Sequence, residues 1–429
     1  MPFHLHLRHN LTGRMLFLCT QLFFNTLFIR LLGPHGNGQL ALLTTNTTFL
    51  VLIVGLGMDA AVVYDVARQK RNTAERLRYL YSVFIAQVLL ICGFSILFQY
   101  CFGYAYFGYP TPWGVVYAAA LLLSNYGVAL WNGEKHFRVV YQVMISIYVL
   151  AILLFGVFDA CRIQLSEAAL LKLYIWMNVC IGLWLTAKYV YVHRRDLHFS
   201  LQPVAIFSKE WFRFGQLVCW ANLFQYLAYR MDIWIVAFFL HKDQLGIYAL
   251  AEKIIQTLWM IPSSMATVIF AYTDQVSDTA WFAGFLRLLR LVMWCFLLAD
   301  VVLLFTGDYW MNLLFGPSFR AASTPLRILL PGATVFVLNI LLAAYFAACN
   351  RLHINLINSA ICCMVIVLCD WWWIPRLGIN GAAWASTLGY GISGLLAYLL
   401  FFRMHRLSWL AIFRWQPEDV KRLFSFLFR

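Results

Sequence analysis

Charged side chains inside two neighbouring apolar segments are the residues of this sequence that could do chemistry. Arg230 and Asp232 lie within one apolar run, and Glu252 and Lys253 lie one to two turns into the next run, after a polar turn at 241–246. A charge at bilayer depth costs several kcal/mol, so it is normally paired and turned towards a water-filled cavity. Because two adjacent helices both carry such charges, the pattern predicts a polar cavity between them that handles a charged solute.

The composition places the chain among polytopic membrane proteins. Of its 429 residues, 63% are hydrophobic and only 12% are charged, and the mean hydropathy is +0.75. A soluble chain averages about 25% charged residues. The length is sufficient for about a dozen spans of about 20 residues, and it leaves no room for a soluble domain.

Twelve apolar runs can be placed, separated by turns rich in Gly, Pro and charged residues. We therefore expect an all-α polytopic membrane protein with about 12 transmembrane helices. The runs cover residues 11–32, 38–63, 79–102, 113–132, 138–158, 168–191, 212–239, 247–271, 283–306, 323–347, 354–374 and 379–402.

Two turn motifs recur along the chain, which indicates an internal repeat. The segment 32–42 resembles 240–250, and the segment 130–136 resembles 348–353. Six helices in each half is an even number, so both halves enter the membrane from the same side. The pattern then predicts two six-helix lobes related by a parallel pseudo-twofold axis along the membrane normal. Convergent turn chemistry is the alternative, since glycine suits any tight connection between helices.

The distribution of Lys and Arg predicts the orientation. Basic residues are concentrated in alternate connections, and both termini are therefore predicted to be cytoplasmic. The expected parts are an N-terminal lobe at 1–192, a cytoplasmic linker at 193–211, a C-terminal lobe at 212–402, and a basic amphipathic tail at 403–429 on the inner leaflet. The net charge of +14 then belongs to the anionic membrane surface, which excludes nucleic acid as a partner.

Five short motifs, taken in order, carry a resemblance to a known family. They are Leu-Leu-Gly-Pro-x-Gly-x-Gly-Gln-x-Ala-Leu at 31–42, and the segments 55–61, 230–232, 245–253 and 313–319. Each motif alone is weak, whereas their order and spacing together are more specific. The sequence resembles the polysaccharide transporter (O-antigen flippase, Wzx-type) family of the multidrug/oligosaccharidyl-lipid/polysaccharide exporter superfamily.

The resemblance implies a flippase, which is a transporter and not an enzyme. Such proteins move an undecaprenyl-diphosphate-linked oligosaccharide, such as an O-antigen repeat unit, from the inner to the outer leaflet of the bacterial cytoplasmic membrane by alternating access. Their lobes form a V around a cationic central cavity. Membrane lipids are implied partners, with a proton or sodium ion for coupling and the glycan polymerase machinery as further candidates, and no cofactor is expected.

The candidate cations for a diphosphate are Arg14, Arg30, Arg230 and Lys253. Arginine binds phosphate in a bidentate manner, whereas lysine acts as a point charge. Lys253 also fits the position where the resembled family commonly has a basic residue. The alternative for Arg30 is snorkelling to the outer interface, and for Arg14 it is anchoring at the inner interface.

The acids Asp59, Asp232 and Glu252 are candidates for coupling groups or for structural ion pairs. Asp232 lies about 200° from Arg230 around a helix, so we expect it to pair with Lys253 or with another helix, and Glu252 to pair with Arg230 or to take up a proton. By contrast, Asp370 is expected to be solvated near an outer helix end. The 11 cysteines are mostly within apolar runs, where they act as small hydrophobic residues, and no metal site is predicted.

Two other classes of function remain as alternatives. A polytopic glycan polymerase or ligase would need a large extracytoplasmic loop with convergent acids, His or Arg, and the loops here are short. A cation-coupled multidrug exporter of the same superfamily would favour buried acids over buried bases for binding organic cations. A cavity with net negative charge would therefore favour the exporter.

Overall fold

The computed structural model describes residues 3–68, 72–163, 165–195, 209–271, 279–349 and 351–406. Within these ranges all regular secondary structure is helical, which confirms the all-α fold class. Most of the predicted linker at 193–211 and nearly all of the predicted tail at 403–429 lie outside the described residues. The helices are α1 Phe3–Gly55, α2 Met58–Arg68, α3 Thr73–Phe102, α4 Thr111–Gly133, α5 Phe137–Ala160, α6 Glu167–Val192, α7 Lys209–Phe239, α8 Lys242–Ala271, α9 Thr279–Phe315, α10 Ser323–Ala348, α11 Leu352–Leu377 and α12 Ile379–His405, with a short 3-10 helix at Pro317–Ala322.

The protein is a multi-pass membrane protein. In the part of the chain that the structure describes, nine helical segments are long and apolar enough to cross a bilayer. The helices α7 and α8 have 31 and 30 residues, which exceeds the roughly 20 residues that a span requires. They are the helices that carry the four predicted charges in the second half of the chain.

A single residue, Gly33, divides α1 into two helical segments. Its backbone has φ 72° and ψ 175°, a left-handed geometry that favours glycine, and helix resumes at Pro34. The apolar segment Gly13–Gly55 has 43 residues and would be about 65 Å long if straight, roughly twice the hydrocarbon thickness. The predicted connection between the runs 11–32 and 38–63 is therefore reduced to a single bend at Gly33. The helix can resume directly at Pro34, because proline is well suited to the first position of a helix.

The second segment of α1 is interrupted before the end of the predicted run. Leu56 and Gly57 both have positive φ, and helix restarts as α2 at Met58. The amide of Gln87 in α3 donates to the carbonyl of Val54 at 3.1 Å and to that of Gly55. Since water is excluded from the bilayer core, a broken helix needs such side-chain partners for its free backbone groups.

The chain separates into two compact units, Met1–Tyr226 and Leu227–Arg429. Unit 1 contains α1 to α6 and the first part of α7, and its core includes stacked rings from α1, α5 and α6. Phe28 packs against Phe155 at 6.0 Å and against Tyr174 at 5.4 Å between ring centroids. The predicted lobe boundary at 193–211 and the arrangement of the two lobes stay predictions.

Unit 2 is built around α10, which packs against α8, α9, α11 and α12. Small residues allow the closest approaches. A Cβ on Gly332 would lie 2.6 Å from Thr387, and one on Gly394 would lie 2.2 Å from the carbonyl oxygen of Val335. The corresponding helices of unit 1, α4 and α6, approach each other at Gly127 in the same manner. The same pair of helices is therefore closely packed in both units, as an internal repeat requires.

A buried ion pair connects α2 and α3 in unit 1. Arg76 Nε donates to Asp65 Oδ2 at 2.9 Å, and the side chains of both residues are at most 5% exposed. In the sequence both residues lie in the connection between the apolar runs 38–63 and 79–102. The structure shows that the two charges instead neutralise each other inside the helical core.

Removing one partner of this pair should strongly destabilise the protein. We expect Arg76→Ala to lower the free energy of unfolding by about 3–5 kcal/mol, because it leaves a buried charge without its partner. The double variant Asp65→Asn/Arg76→Gln should recover most of that loss. Thermal unfolding of the purified protein in detergent measures the effect, with the exposed Arg138→Gln as a control; equal melting of Arg76→Ala and the control would contradict it.

Candidate functional site

The helices α7 and α8 bring four of the predicted site residues together within unit 2. Arg230 and Asp232 lie in the part of α7 that belongs to this unit, and Glu252 and Lys253 lie near the third turn of α8. Only residues 240–241 separate the two helices. The short connection keeps the charged turns of the two helices within reach of each other.

Arg230 and Glu252 form an ion pair. Arg230 Nη1 donates to Glu252 Oε2 at 3.3 Å, and Nη2 donates to Gln256 Oε1 at 3.0 Å. The side chain of Glu252 is 2% exposed, whereas that of Arg230 is 28% exposed. The guanidinium is thus held by α8 on one side and keeps accessible surface on another. A planar guanidinium in this position can still present N–H groups to a phosphate.

Asp232 is fully buried and is held by hydroxyl groups, not by Lys253. It accepts hydrogen bonds from the Tyr248 hydroxyl at 2.6 Å and from the backbone N–H of Ile233 at 2.8 Å. Ser386 in α12 lies 3.1 Å from the Tyr248 hydroxyl. Buried acids require partners of this kind, and here α8 and α12 supply them.

The carboxyl groups of Asp232 and Glu252 lie close enough to interact electrostatically. The Tyr390 hydroxyl of α12 donates to Glu252 Oε1 at 3.5 Å. Two neighbouring carboxylates repel each other when both are ionised. The pair is therefore a place where a proton can be bound and released.

A third acid, Asp370 of α11, completes what we call the carboxyl cluster: Asp232, Glu252 and Asp370. Asp370 has no exposed surface, and neither of its carboxyl oxygens has a hydrogen-bond partner among the described residues. It lies close enough to Asp232 and Glu252 to interact with both electrostatically. The expectation that Asp370 is solvated is wrong.

The signal for Asp370 was present in the sequence as a helical repeat. The buried residues of α11 are Asn358, Cys362, Ile366, Asp370 and Ile374, one every four positions. That spacing places them on one face of the helix. The tryptophans at 371–373 are residue types typical of a membrane interface, whereas the face pattern indicates an interior position for Asp370. Nothing in the sequence pointed to Tyr248, Ser386 and Tyr390 as partners of Asp232 and Glu252, since these contacts depend on tertiary packing.

Accessibility separates the two bases from the two acids among these four residues. Lys253 is exposed, one residue and about 100° around α8 from Glu252, and Arg230 is partly exposed. Asp232 and Glu252 are buried. The accessible charge of this group of four is therefore positive.

The two predicted cations of unit 1 do not form a common site. Arg14 and Arg30 both lie in α1 before the bend at Gly33, so 16 residues separate them by about 24 Å along the axis and by about 160° around it. Arg14 is partly buried near Tyr141, and Arg30 is exposed. They cannot hold the same diphosphate, and each would act alone.

Asp59 occupies the first turn of α2, directly after the break at Leu56 and Gly57. Its side chain is exposed. A carboxylate in this position is stabilised by the N-terminal end of the helix dipole. The position of Asp59 is thus favourable for the N-terminus of α2. The residue belongs to unit 1 and not to the carboxyl cluster of unit 2.

Comparison with known proteins identifies relatives by sequence and by fold. Residues 27–324 match a family described as "Polysaccharide biosynthesis protein". No curated protein matches the chain. The lipid II flippase MurJ in an inward closed conformation has a similar structure, with a TM-score of 0.66 and 14% identity over 98% of this chain and 92% of that chain.

Two further solved structures share the architecture. An inward-facing multidrug resistance MATE family transporter of the MOP superfamily gives a TM-score of 0.66 with 13% identity, covering 90% of this chain and 94% of that chain. A MOP superfamily transporter from Pyrococcus furiosus gives 0.61 with 16% identity, covering 93% and 95%. At these identities the likeness establishes the fold alone.

The hydroxyl of Tyr248 should be needed for the stability of the site. We expect Tyr248→Phe to lower the free energy of unfolding by about 1–3 kcal/mol, because it leaves the buried Asp232 with one hydrogen bond fewer. Thermal unfolding in detergent measures the change, and Tyr100→Phe, at a position that is 87% exposed, is the matched control. If both variants melt at the temperature of the unaltered protein, the hydrogen bond has no role in stability.

Proposed function

Because the chain belongs to the polysaccharide biosynthesis protein family, we propose that it is a flippase for a lipid-linked glycan. Its substrate in this proposal is an undecaprenyl-diphosphate-linked oligosaccharide, such as an O-antigen or related repeat unit. The protein would move it from the inner to the outer leaflet of the bacterial cytoplasmic membrane by alternating access between two six-helix lobes, with both termini in the cytoplasm. The fold supports this, since a lipid II flippase shares it.

The observation that carries the proposal is the accessible positive charge on α7 and α8. Arg230 keeps accessible surface and Lys253 is exposed, whereas the acids between them are buried. A diphosphate carries about two negative charges and is recognised by guanidinium and ammonium groups. The same arrangement disfavours an organic cation, the expected substrate of a multidrug exporter, because the acids are shielded from a solute.

The ion pair limits how Arg230 can act. Glu252 and Gln256 hold two of its nitrogens and orient the group, so that it loses little further conformational entropy when it binds a phosphate. Lys253 adds a mobile point charge from the adjacent face of α8. In the proposal these two residues bind the diphosphate, while Arg14 and Arg30 contact it or the lipid surface at other stages of the cycle.

The carboxyl cluster is the proposed coupling site, with Glu252 connecting it to the substrate site. The buried carboxyl groups of Asp232 and Glu252 interact electrostatically, and two like charges in one buried site favour the binding of a proton by one of them. When a diphosphate competes for Arg230, Glu252 loses its cationic partner and holds a proton more tightly. Substrate binding and proton binding are then linked through a single side chain, and a proton is the coupling ion in preference to sodium.

Replacement of the two accessible bases should abolish transport without preventing insertion. We expect Arg230→Ala and Lys253→Ala to fail to restore surface polysaccharide in a flippase-deficient strain, because the diphosphate loses its cationic partners. Membrane levels are measured by immunoblot, and transport by a leaflet-resolved assay of lipid-linked glycan in vesicles. Lys172→Ala, which removes a lysine beside Trp113 in unit 1, is the control and should complement fully. Full complementation by both test variants would remove the basis of the proposal.

Neutral replacements in the carboxyl cluster should separate binding from coupling. We expect Glu252→Gln and Asp370→Asn to bind lipid-linked glycan but to lose acceleration by an imposed proton gradient, because an amide cannot take up and release a proton. Initial rates of glycan translocation in proteoliposomes, with and without the gradient, measure this. A gradient response equal to that of the unaltered protein in both variants would show that coupling lies elsewhere.

A further inference from the structure

Unit 2 contains buried polar atoms that have no partner in the described part of the chain, and they lie beyond the carboxyl cluster. Asn358 Oδ1 and Ser393 Oγ are both buried without a hydrogen-bond partner among the described residues. Asn358 is 2% and Ser393 is 1% exposed. Most buried polar groups in proteins are paired with the protein or with ordered water. Two unsatisfied groups on facing helices therefore indicate a place that holds water.

These groups continue the line of the carboxyl cluster along α11 and α12. On α12, Ser386 and Tyr390 contact the cluster, and Ser393 lies three residues further along the same buried face. On α11, Asn358 lies on the face that carries Asp370, about 18 Å away along the axis. On α11, Ile366 and Cys362 lie between Asp370 and Asn358. The polar line therefore runs along α12 and reaches α11 at Asn358, whose amide donates to the Ser393 carbonyl.

The line extends further towards the end of α12. The Asn358 side-chain amide donates to Asn339 Oδ1 at 2.7 Å and to the carbonyl of Ser393 at 3.1 Å. One turn onwards, the Asn355 side-chain amide donates to the carbonyl of Ala343 at 2.9 Å.

At the end of the line the Tyr345 hydroxyl lies 2.8 Å from His405 Nε2. Groups that can donate or accept hydrogen bonds thus form a series from Tyr390 and Ser393 through Asn358 and Asn355 to His405. Water molecules are the groups that connect such a series in proteins.

We propose that unit 2 encloses a hydrated path between α10, α11 and α12, along which the proton of the carboxyl cluster exchanges with the solvent at the His405 end. The charge distribution of the sequence places that end on the cytoplasmic side. The path is separate from the accessible face that carries Arg230 and Lys253, so proton exchange does not require the substrate to leave. The inference rests on the proposed function only where it gives the proton a role in coupling transport. The hydration of the path is a property of the protein that can be tested without a substrate.

The test is hydrogen–deuterium exchange of the buried carboxyl groups in the full-length protein reconstituted in lipid. Infrared absorption of protonated carboxyl groups shifts when COOH becomes COOD, and Glu252→Gln and Asp370→Asn identify the bands. After transfer to D2O we expect Asn358→Leu to slow exchange by at least about tenfold, because an apolar side chain interrupts the path. The control Thr387→Val removes a hydroxyl that bonds to the Ile328 carbonyl on another face of α12, and it should exchange at the unaltered rate.

An unchanged rate in Asn358→Leu would overturn the path. If that variant does not fold, Ser393→Val tests the same point, because it also places an apolar side chain in the path.

A further measurement does not require the path to be blocked. The thiols of Cys362 and Cys363 lie at the same depth on α11, but only Cys362 is on the buried face beside Ser393. We expect the S–H group of Cys362 to exchange faster, with Cys362→Ser and Cys363→Ser to assign the bands, and equal rates would count against the path. No glycan is present in these exchange measurements. They can therefore contradict the hydrated path while complementation supports the proposed flippase, and complementation can contradict the flippase while the exchange rates support the path.

Discussion

The cost of placing charge in a medium that cannot solvate it determines how unit 2 is built. Glu252 is buried because Arg230 of α7 pairs with it, while Gln256 accepts from the same guanidinium. Asp232 is buried because the Tyr248 hydroxyl of α8 and the backbone of α7 donate to it. The partners thus come from α7 and α8, and α12 adds Ser386 and Tyr390. The positions of three helices thus follow from the need to satisfy two acids.

The sequence was sufficient for the fold class and for four residues of the site. Apolar runs and turn signals predict an all-helical membrane protein, and charges in two adjacent runs predict the meeting of Arg230 with Glu252. The sequence did not predict the burial of Asp370, because an acid next to three tryptophans resembles an interface residue until its helical face is considered. The Asp65–Arg76 pair was not predicted for a related reason. The sequence shows that Arg76 lies near a connection between helices, but whether its side chain is buried depends on how the helices pack.

Unit 1 and unit 2 treat polar groups inside the membrane differently. In unit 1 the irregular backbone after Gly55 is satisfied by Gln87, and the buried charges of Asp65 and Arg76 are matched one to one. In unit 2 the acids of the carboxyl cluster outnumber Arg230, the base that pairs with Glu252, and Asp370 has no hydrogen-bond partner among the described residues. A matched ion pair stays ionised, whereas a set of acids without matching bases can bind and release a proton. For this reason we place the proposed coupling in unit 2.

The two-residue connection between α7 and α8 has a consequence for how the protein is made. Both helices carry charges within apolar runs, and such a helix partitions poorly if it leaves the translocon alone. A hairpin with so short a connection allows Arg230 and Glu252 to pair early. An ion pair formed at that stage lowers the cost of placing both charges in the bilayer, so insertion of α7 and α8 as one unit is favoured over insertion of either helix alone.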